Sequence, residues 1–130
     1  MFKNILLISV GGILGTCSRY FVSTYLQSFF GKIFPIGTLA VNVIGALISG
    51  FLWGMFGGAQ VDKSYRLFCF VGFLGAFTTF SAYSLDTINL FFEDKIKLGV
   101  LNILLNNILS LVFVILGFWL ARCLFLKLNN

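Results

Sequence analysis

Long apolar runs separated by short polar gaps dominate the chain. They predict four membrane-spanning helices, over residues 4–29, 36–56, 65–92 and 98–126, since about 20 apolar residues suffice to cross a bilayer. The third run is the least uniform. From Val71 to Leu85 it reads VGFLGAFTTFSAYSL, with Gly72 and Gly75, then Thr78, Thr79, Ser81 and Ser84, and with Phe77, Phe80 and Tyr83 interleaved. Glycines plus hydroxyls at membrane depth predict a helix broken or unwound there. Irregular backbone is tolerated in a bilayer only where it is buried in protein or lines a polar cavity, and discontinuous helices often build ion sites.

Polar positions elsewhere fall into register with this stretch. In the second span Thr38, Asn42, Gly45 and Ser49 step by three or four residues and so share one helix face. An amide at the depth of Asn42 needs a partner or water. It is either an interhelical hydrogen bond or a donor facing an ion, and the polar face around it favours the second. In the fourth span Asn102, Asn106 and Ser110 recur every fourth residue, beside Asn107. With Asn42 they read as the wall of a water-filled path; the plainer alternative is interhelical bonding. Gly11 and Gly15 form a GxxxG, and Ala46, Gly50 and Gly54 a second row of small residues, both read as close-packing surfaces. Arg19 lies well inside the first span, where a charge costs about 2.5–3.5 kcal/mol on insertion scales. It faces either a watery vestibule or partner, or snorkels to the interface. Asp86 caps or pairs with a cation, or sits in the interface.

Composition narrows the class. The 130 residues are 59% hydrophobic and only 10% charged, against about 25% charged in soluble domains. A single transmembrane domain, residues 1–130, uses up the chain, and so small a subunit implies an oligomer. The net charge of +5 is scattered, which points to lipid headgroups rather than nucleic acid. Cys17, Cys69 and Cys123 have no CxxC spacing and the chain has no histidine, so packing is their expected role rather than a disulfide or zinc site. The N-terminal Lys3 and apolar run mimic a signal peptide, and LGTC at 14–17 a lipoprotein box. Without an A-x-A site, and with the apolar pattern continuing, a retained first helix is expected. One side of the membrane would carry Lys3, Lys63, Arg66, Arg122 and Lys127, the other Lys32, Lys95 and Lys97. That weak bias permits insertion both ways.

The segments GGILGTCSRY (11–20), GTLAVNVIG (37–45) and GFLGAFTTFSAYS (72–84) together resemble the CrcB family, the Fluc-type fluoride channels, in order and spacing. The resemblance implies an all-α, antiparallel, dual-topology homodimer in the bacterial inner membrane. It implies two pores that passively export cytoplasmic fluoride, and no enzymatic activity. By position Asn42 matches the family's pore asparagine and Phe80 the first of its two pore phenylalanines. The second falls on Tyr83, a departure that keeps the ring and adds a hydroxyl. Asn106 and Ser110 match the helix 4 polar track, and Thr38 shares the pore face of Asn42. Arg19 matches the helix 1 arginine. The carbonyls of Gly75 and Thr78 match a structural sodium site shared across the dimer.

The physics of the residues agrees: a strongly hydrated anion needs donors to replace its water, aromatic edges are electropositive, and conduction needs binding weak enough to leave. No G-x-x-x-x-G-K-[ST] is present, so ATP-driven export is unsupported. Two other readings compete. A small four-helix multidrug or cation antiporter would need an intramembrane carboxylate, and only Asp86 lies within a predicted span. A non-transporting assembly protein would use the polar stripes as glue.

Overall fold

The computed structural model describes residues 1–56 and 61–128. The loop expected from Gly57 is therefore described only from Val61 onward. The chain is all helical, and four of its helical stretches are long and apolar enough to span a membrane. We label them α1 (Phe2–Phe30), α2 (Ile36–Met55), a third stretch, Lys63–Phe92, divided into α3 (residues 63–77) and α4 (Phe80–Phe92), and α5 (Ile96–Leu128). The first helix begins at Phe2 rather than Asn4, and the last reaches Leu128 rather than Leu126.

Glycines set how closely the helices approach. A Cβ on Gly50 would strike the Val114 carbonyl, and one on Gly117 the Leu47 carbonyl. A Cβ on Gly54 would stand 2.8 Å from the Phe118 carbonyl oxygen. Small residues thus let α2 and α5 meet backbone to backbone, the usual lipid-phase substitute for a hydrophobic driving force. Gly11 and Gly15 do the same for α1 against α3, where a Cβ on Gly11 would lie 3.2 Å from the Gly72 Cα.

The connections are held by specific bonds. Gly31 closes α1 with φ 86° and ψ −177°, a positive-φ conformation that glycine adopts at little cost. The Gln27 side chain then staples α1 to α2. Its amide donates to the Phe34 carbonyl at 2.9 Å and to the Gly31 carbonyl, and its oxygen accepts from the Gly37 N–H at 3.0 Å, one of the orphan donors of a helix start. Asp94, at φ 56°, ends α4: its N–H donates to the Phe91 carbonyl at 3.1 Å and that of Lys95 to Leu90 at 2.9 Å. This is a Schellman closure. Asp62 caps α3 by accepting from the Ser64 N–H at 2.8 Å, which holds its carboxyl below the usual range.

Most of α3, Arg66–Leu74, is π-helical. Its end is marked by the Gly75 N–H, which reaches back to the Phe70 carbonyl. Between α3 and α4 the backbone is extended, with Thr78 at φ −79°, ψ 159° and Thr79 at φ −150°, ψ 115°.

Candidate ion pathway

The extended step at Thr78 and Thr79 diverts hydrogen bonds that a continuous helix would have used internally. The Thr79 N–H, which would have served the Gly75 carbonyl, donates instead to Asn42 Oδ1 at 2.8 Å. The Ala82 N–H, which would have served Thr78, donates to Thr79 Oγ1 at 3.1 Å and so caps α4. The carbonyls of Gly75 and Thr78 are thereby released from helical pairing. Arg19 Nη1 lies 3.5 Å from the Thr78 oxygen, the outer limit of a hydrogen bond.

Asn42 acts as a splice across this step. Besides accepting from Thr79, its Nδ2 donates to the Thr79 carbonyl at 3.1 Å and to Asn106 Oδ1 at 2.9 Å. The pairing with both backbone groups of Thr79 fixes which end of the amide is nitrogen. The order then propagates. Asn106 Nδ2 donates to the Asn102 carbonyl at 3.1 Å and to Asn102 Oδ1 at 2.9 Å. Asn102 Nδ2 donates to Thr87 Oγ1 at 2.9 Å, and Thr87 donates to the Tyr83 carbonyl at 2.8 Å. From Asn42 onward the side-chain donors run one way, through Asn106, Asn102 and Thr87 to the Tyr83 carbonyl, in a chain linking α2, α5 and α4. Bonds in such chains polarise one another.

This network corrects one expectation. Asn102 is fully buried, so it forms interhelical bonds instead of lining a path. Asn106 has both amide hydrogens directed at Asn102 and its oxygen on Asn42. The two hydrogens of Asn42 are likewise committed.

A cavity of about 530 Å³ lies beside the splice. Of the expected pore and ion-site residues, Asn42, Gly75, Thr78, Phe80, Tyr83, Asn106 and Ser110 line it, as do Ser49 of the α2 polar face and Asn107. The ring of Phe80 meets that of Tyr83 edge to face, with centroids 5.2 Å apart and planes at 63°. Phe80 is 77% exposed in the single chain, whereas Tyr83 is buried. Thr38 is placed elsewhere. Its hydroxyl donates to Asp86 Oδ2 at 2.6 Å, in a second cavity of about 540 Å³ that also carries Gln27, Lys32 and Glu93. Arg19 lines a third, with Thr38, Thr79 and Ser81.

Sequence reasoning passed over Thr87 as the terminus of the network, although its place one turn after Tyr83 put both on one face. It also passed over the bond from Asn107 Nδ2 to the Tyr83 hydroxyl, at 3.3 Å. As for a cation, no group of acidic, histidine or cysteine side chains that could hold a metal occurs among the described residues. The two released carbonyls of Gly75 and Thr78 are oxygen donors of the kind hard cations take, and Gly75 is exposed on the single chain.

The family described as CrcB-like protein, Camphor Resistance (CrcB), matches residues 6–118. The fluoride-specific ion channel FluC of Clostridium perfringens strain ATCC 13124 is 41% identical over 92% of this chain and 94% of its own length. That of Parabacteroides distasonis is 42% identical over 94% of each chain. That of Pyrococcus abyssi is 40% identical over 92% of this chain and 97% of its own length. A match of this extent, running through α1 to α5 and including the whole extended step, shows that the chain belongs to the CrcB-like family.

Proposed function

We propose that this protein is a fluoride-specific channel giving passive export of the anion, working as an antiparallel, dual-topology homodimer with two pores in the bacterial inner membrane. The observation that carries this reading is the cavity beside the extended step. It combines hydroxyls with aromatic edges, and among the described residues no lysine or arginine side chain that would trap the ion lines it. Fluoride sheds its water only against donors, and binding must stay weak enough for exit. The Phe80 and Tyr83 ring edges and the Ser110 hydroxyl supply that mixture. Asn42 serves as a positioning residue: an anion taking one of its hydrogens would have to displace Thr79 or Asn106.

The exposure of Phe80 and of the Gly75 backbone supports a second copy, since both leave the site incomplete in one chain. A sodium ion held by the Gly75 and Thr78 carbonyls would supply positive charge that binds the released carbonyl dipoles of two copies together. Arg19, close to the Thr78 oxygen, would share that carbonyl or turn away from it.

The test is anion efflux from liposomes containing the purified protein, with fluoride and chloride electrodes in parallel. Rapid fluoride release with negligible chloride release is expected; no release from folded protein would overturn the reading. The buried Asn102–Asn106–Thr87 network favours one competing view, a non-transporting assembly role, and the same assay separates the two. Asp86→Asn addresses an antiporter: loss of drug-coupled proton transport in that variant would establish the antiporter instead.

A further inference from the structure

The donors around the cavity can be counted hydrogen by hydrogen. Both amide hydrogens of Asn42 and of Asn106 are committed to protein acceptors. The Thr78 hydroxyl donates to the Leu74 carbonyl at 2.9 Å. Asn107 Nδ2 donates to the Ile103 carbonyl at 2.7 Å and to the Tyr83 hydroxyl oxygen at 3.3 Å. The first of these contacts fixes the orientation of the Asn107 amide, because its oxygen there would face another carbonyl oxygen. The Tyr83 oxygen must therefore accept. Its own hydrogen then has no acceptor among the described residues, and no buried side-chain polar atom of the described residues is left unpaired. The phenol hydrogen accordingly opens on the cavity that Tyr83 lines.

We propose that the Tyr83 hydroxyl, oriented by Asn107, donates a hydrogen bond to the anion in this cavity and sharpens selection for fluoride over chloride. The proposal rests on the channel reading above. Three features support it. The Tyr83 ring is held in place, buried and edge-on to Phe80, with its backbone carbonyl bonded by Thr87. A phenol O–H is a stronger hydrogen-bond donor than the aliphatic hydroxyls of Ser49 and Ser110. Finally, donation from Asn107 into the phenol oxygen polarises the O–H further. Fluoride, with its charge in the smallest halide volume, gains more from such a donor than chloride does. Asn107 touches the phenol rather than the anion and is a positioning residue.

The experiment measures fluoride and chloride efflux from liposomes for wild type, Tyr83→Phe, Asn107→Leu and the double variant, each first shown to elute as wild type does. Wild type should release fluoride far faster than chloride. Tyr83→Phe should lower the fluoride-to-chloride rate ratio at least about tenfold, the equivalent of ~1.4 kcal/mol. Asn107→Leu, on an exposed side chain, should lower it by less. It should cause no further loss when combined with Tyr83→Phe. A Tyr83→Phe protein with the wild-type ratio overturns the proposal and leaves the channel reading intact. An Asn107→Leu loss of the same size with and without Tyr83→Phe overturns the positioning role. A folded wild type that releases neither ion overturns the channel reading and this proposal together.

Discussion

Replacing Asn42 with alanine removes three hydrogen bonds at once, leaves the Thr79 N–H and Asn106 Oδ1 without the partners they have here, and takes a side-chain donor from the Thr79 carbonyl. Two magnitudes bracket the consequence. Interhelical hydrogen bonds in membrane proteins average about 0.6 kcal/mol each, giving about 2 kcal/mol for three. A buried polar group left unsatisfied costs about 1–3 kcal/mol, which would give about 2–6 kcal/mol for the two orphaned groups. Asn42 is only half-buried and lines the cavity, so water can reach the orphaned groups, and the lower figure governs. At ~1.4 kcal/mol per tenfold, local opening of the extended step should become roughly 20- to 30-fold more frequent. Amide hydrogen exchange in detergent micelles reads this directly. The Thr79 amide should exchange faster by about that factor, and the Ala82 amide, capped by Thr79, should follow, while the Gly37 amide, held by Gln27, should not change. Exchange at Thr79 that stays at the wild-type rate would refute the splice, because the bond from Thr79 to Asn42 would then not protect it.

Three further outcomes follow from the geometry. Gly50→Ala, which sets a methyl against the Val114 carbonyl, should destabilise by about 1–3 kcal/mol, whereas Gly12→Ala, with nothing within 4 Å of its added carbon, should melt at or slightly above wild type; equal melting temperatures for the two would contradict the α2–α5 contact. Phe80→Ile should largely abolish fluoride efflux while the protein elutes as wild type does, and undiminished efflux would remove the ring edge from the pathway. The Asp62 carboxyl is held below its ordinary value of 3.8 by the Ser64 N–H, so its cap contributes above that value and is lost as pH falls through the lowered pKa. The Ser64 amide protection should therefore disappear in acid, and in Asp62→Ala it should be absent at every pH.

What could be read from the chain followed from side-chain period and volume. Apolar runs mark four spans because a bilayer demands length. Gly11, Gly15, Gly50 and Gly54 mark helix contacts because missing Cβ atoms recur at helical spacing. The crowding of glycine and threonine around Gly75 to Thr79 marked where the backbone departs from a helix. The π-helical run Arg66–Leu74 was not legible, since the choice between four- and five-residue hydrogen bonding leaves no imprint on which side chains are apolar. Thr38 shares a helix face with Asn42, yet its rotation toward Asp86, 48 residues away in sequence, depends on how α2 and α4 cross. The fourth-residue stripe Asn102, Asn106, Ser110 identified a polar face but could not say that the face tilts. Its first member is fully buried, its second is bonded on all sides, and its third faces the cavity.

That tilt bears on how an anion path can coexist with so many amides. An amide in a low-dielectric interior must be paired, and here the amides pair with one another in a single direction. They stiffen the frame around the extended step. The hydrogens left over belong to hydroxyls, of which those of Ser49 and Ser110 can turn about their C–O bonds. A rotating O–H can follow a passing anion and release it, whereas an amide in the Asn42–Asn106–Asn102 chain would have to break a bond on each passage. A frame of committed amides with a lining of uncommitted hydroxyls is what weak, multi-site binding requires. On this argument Ser110→Ala should slow fluoride flux without changing the melting temperature, and Asn102→Leu, which takes one hydrogen-bond partner from Thr87 and one from Asn106, should lower the melting temperature first.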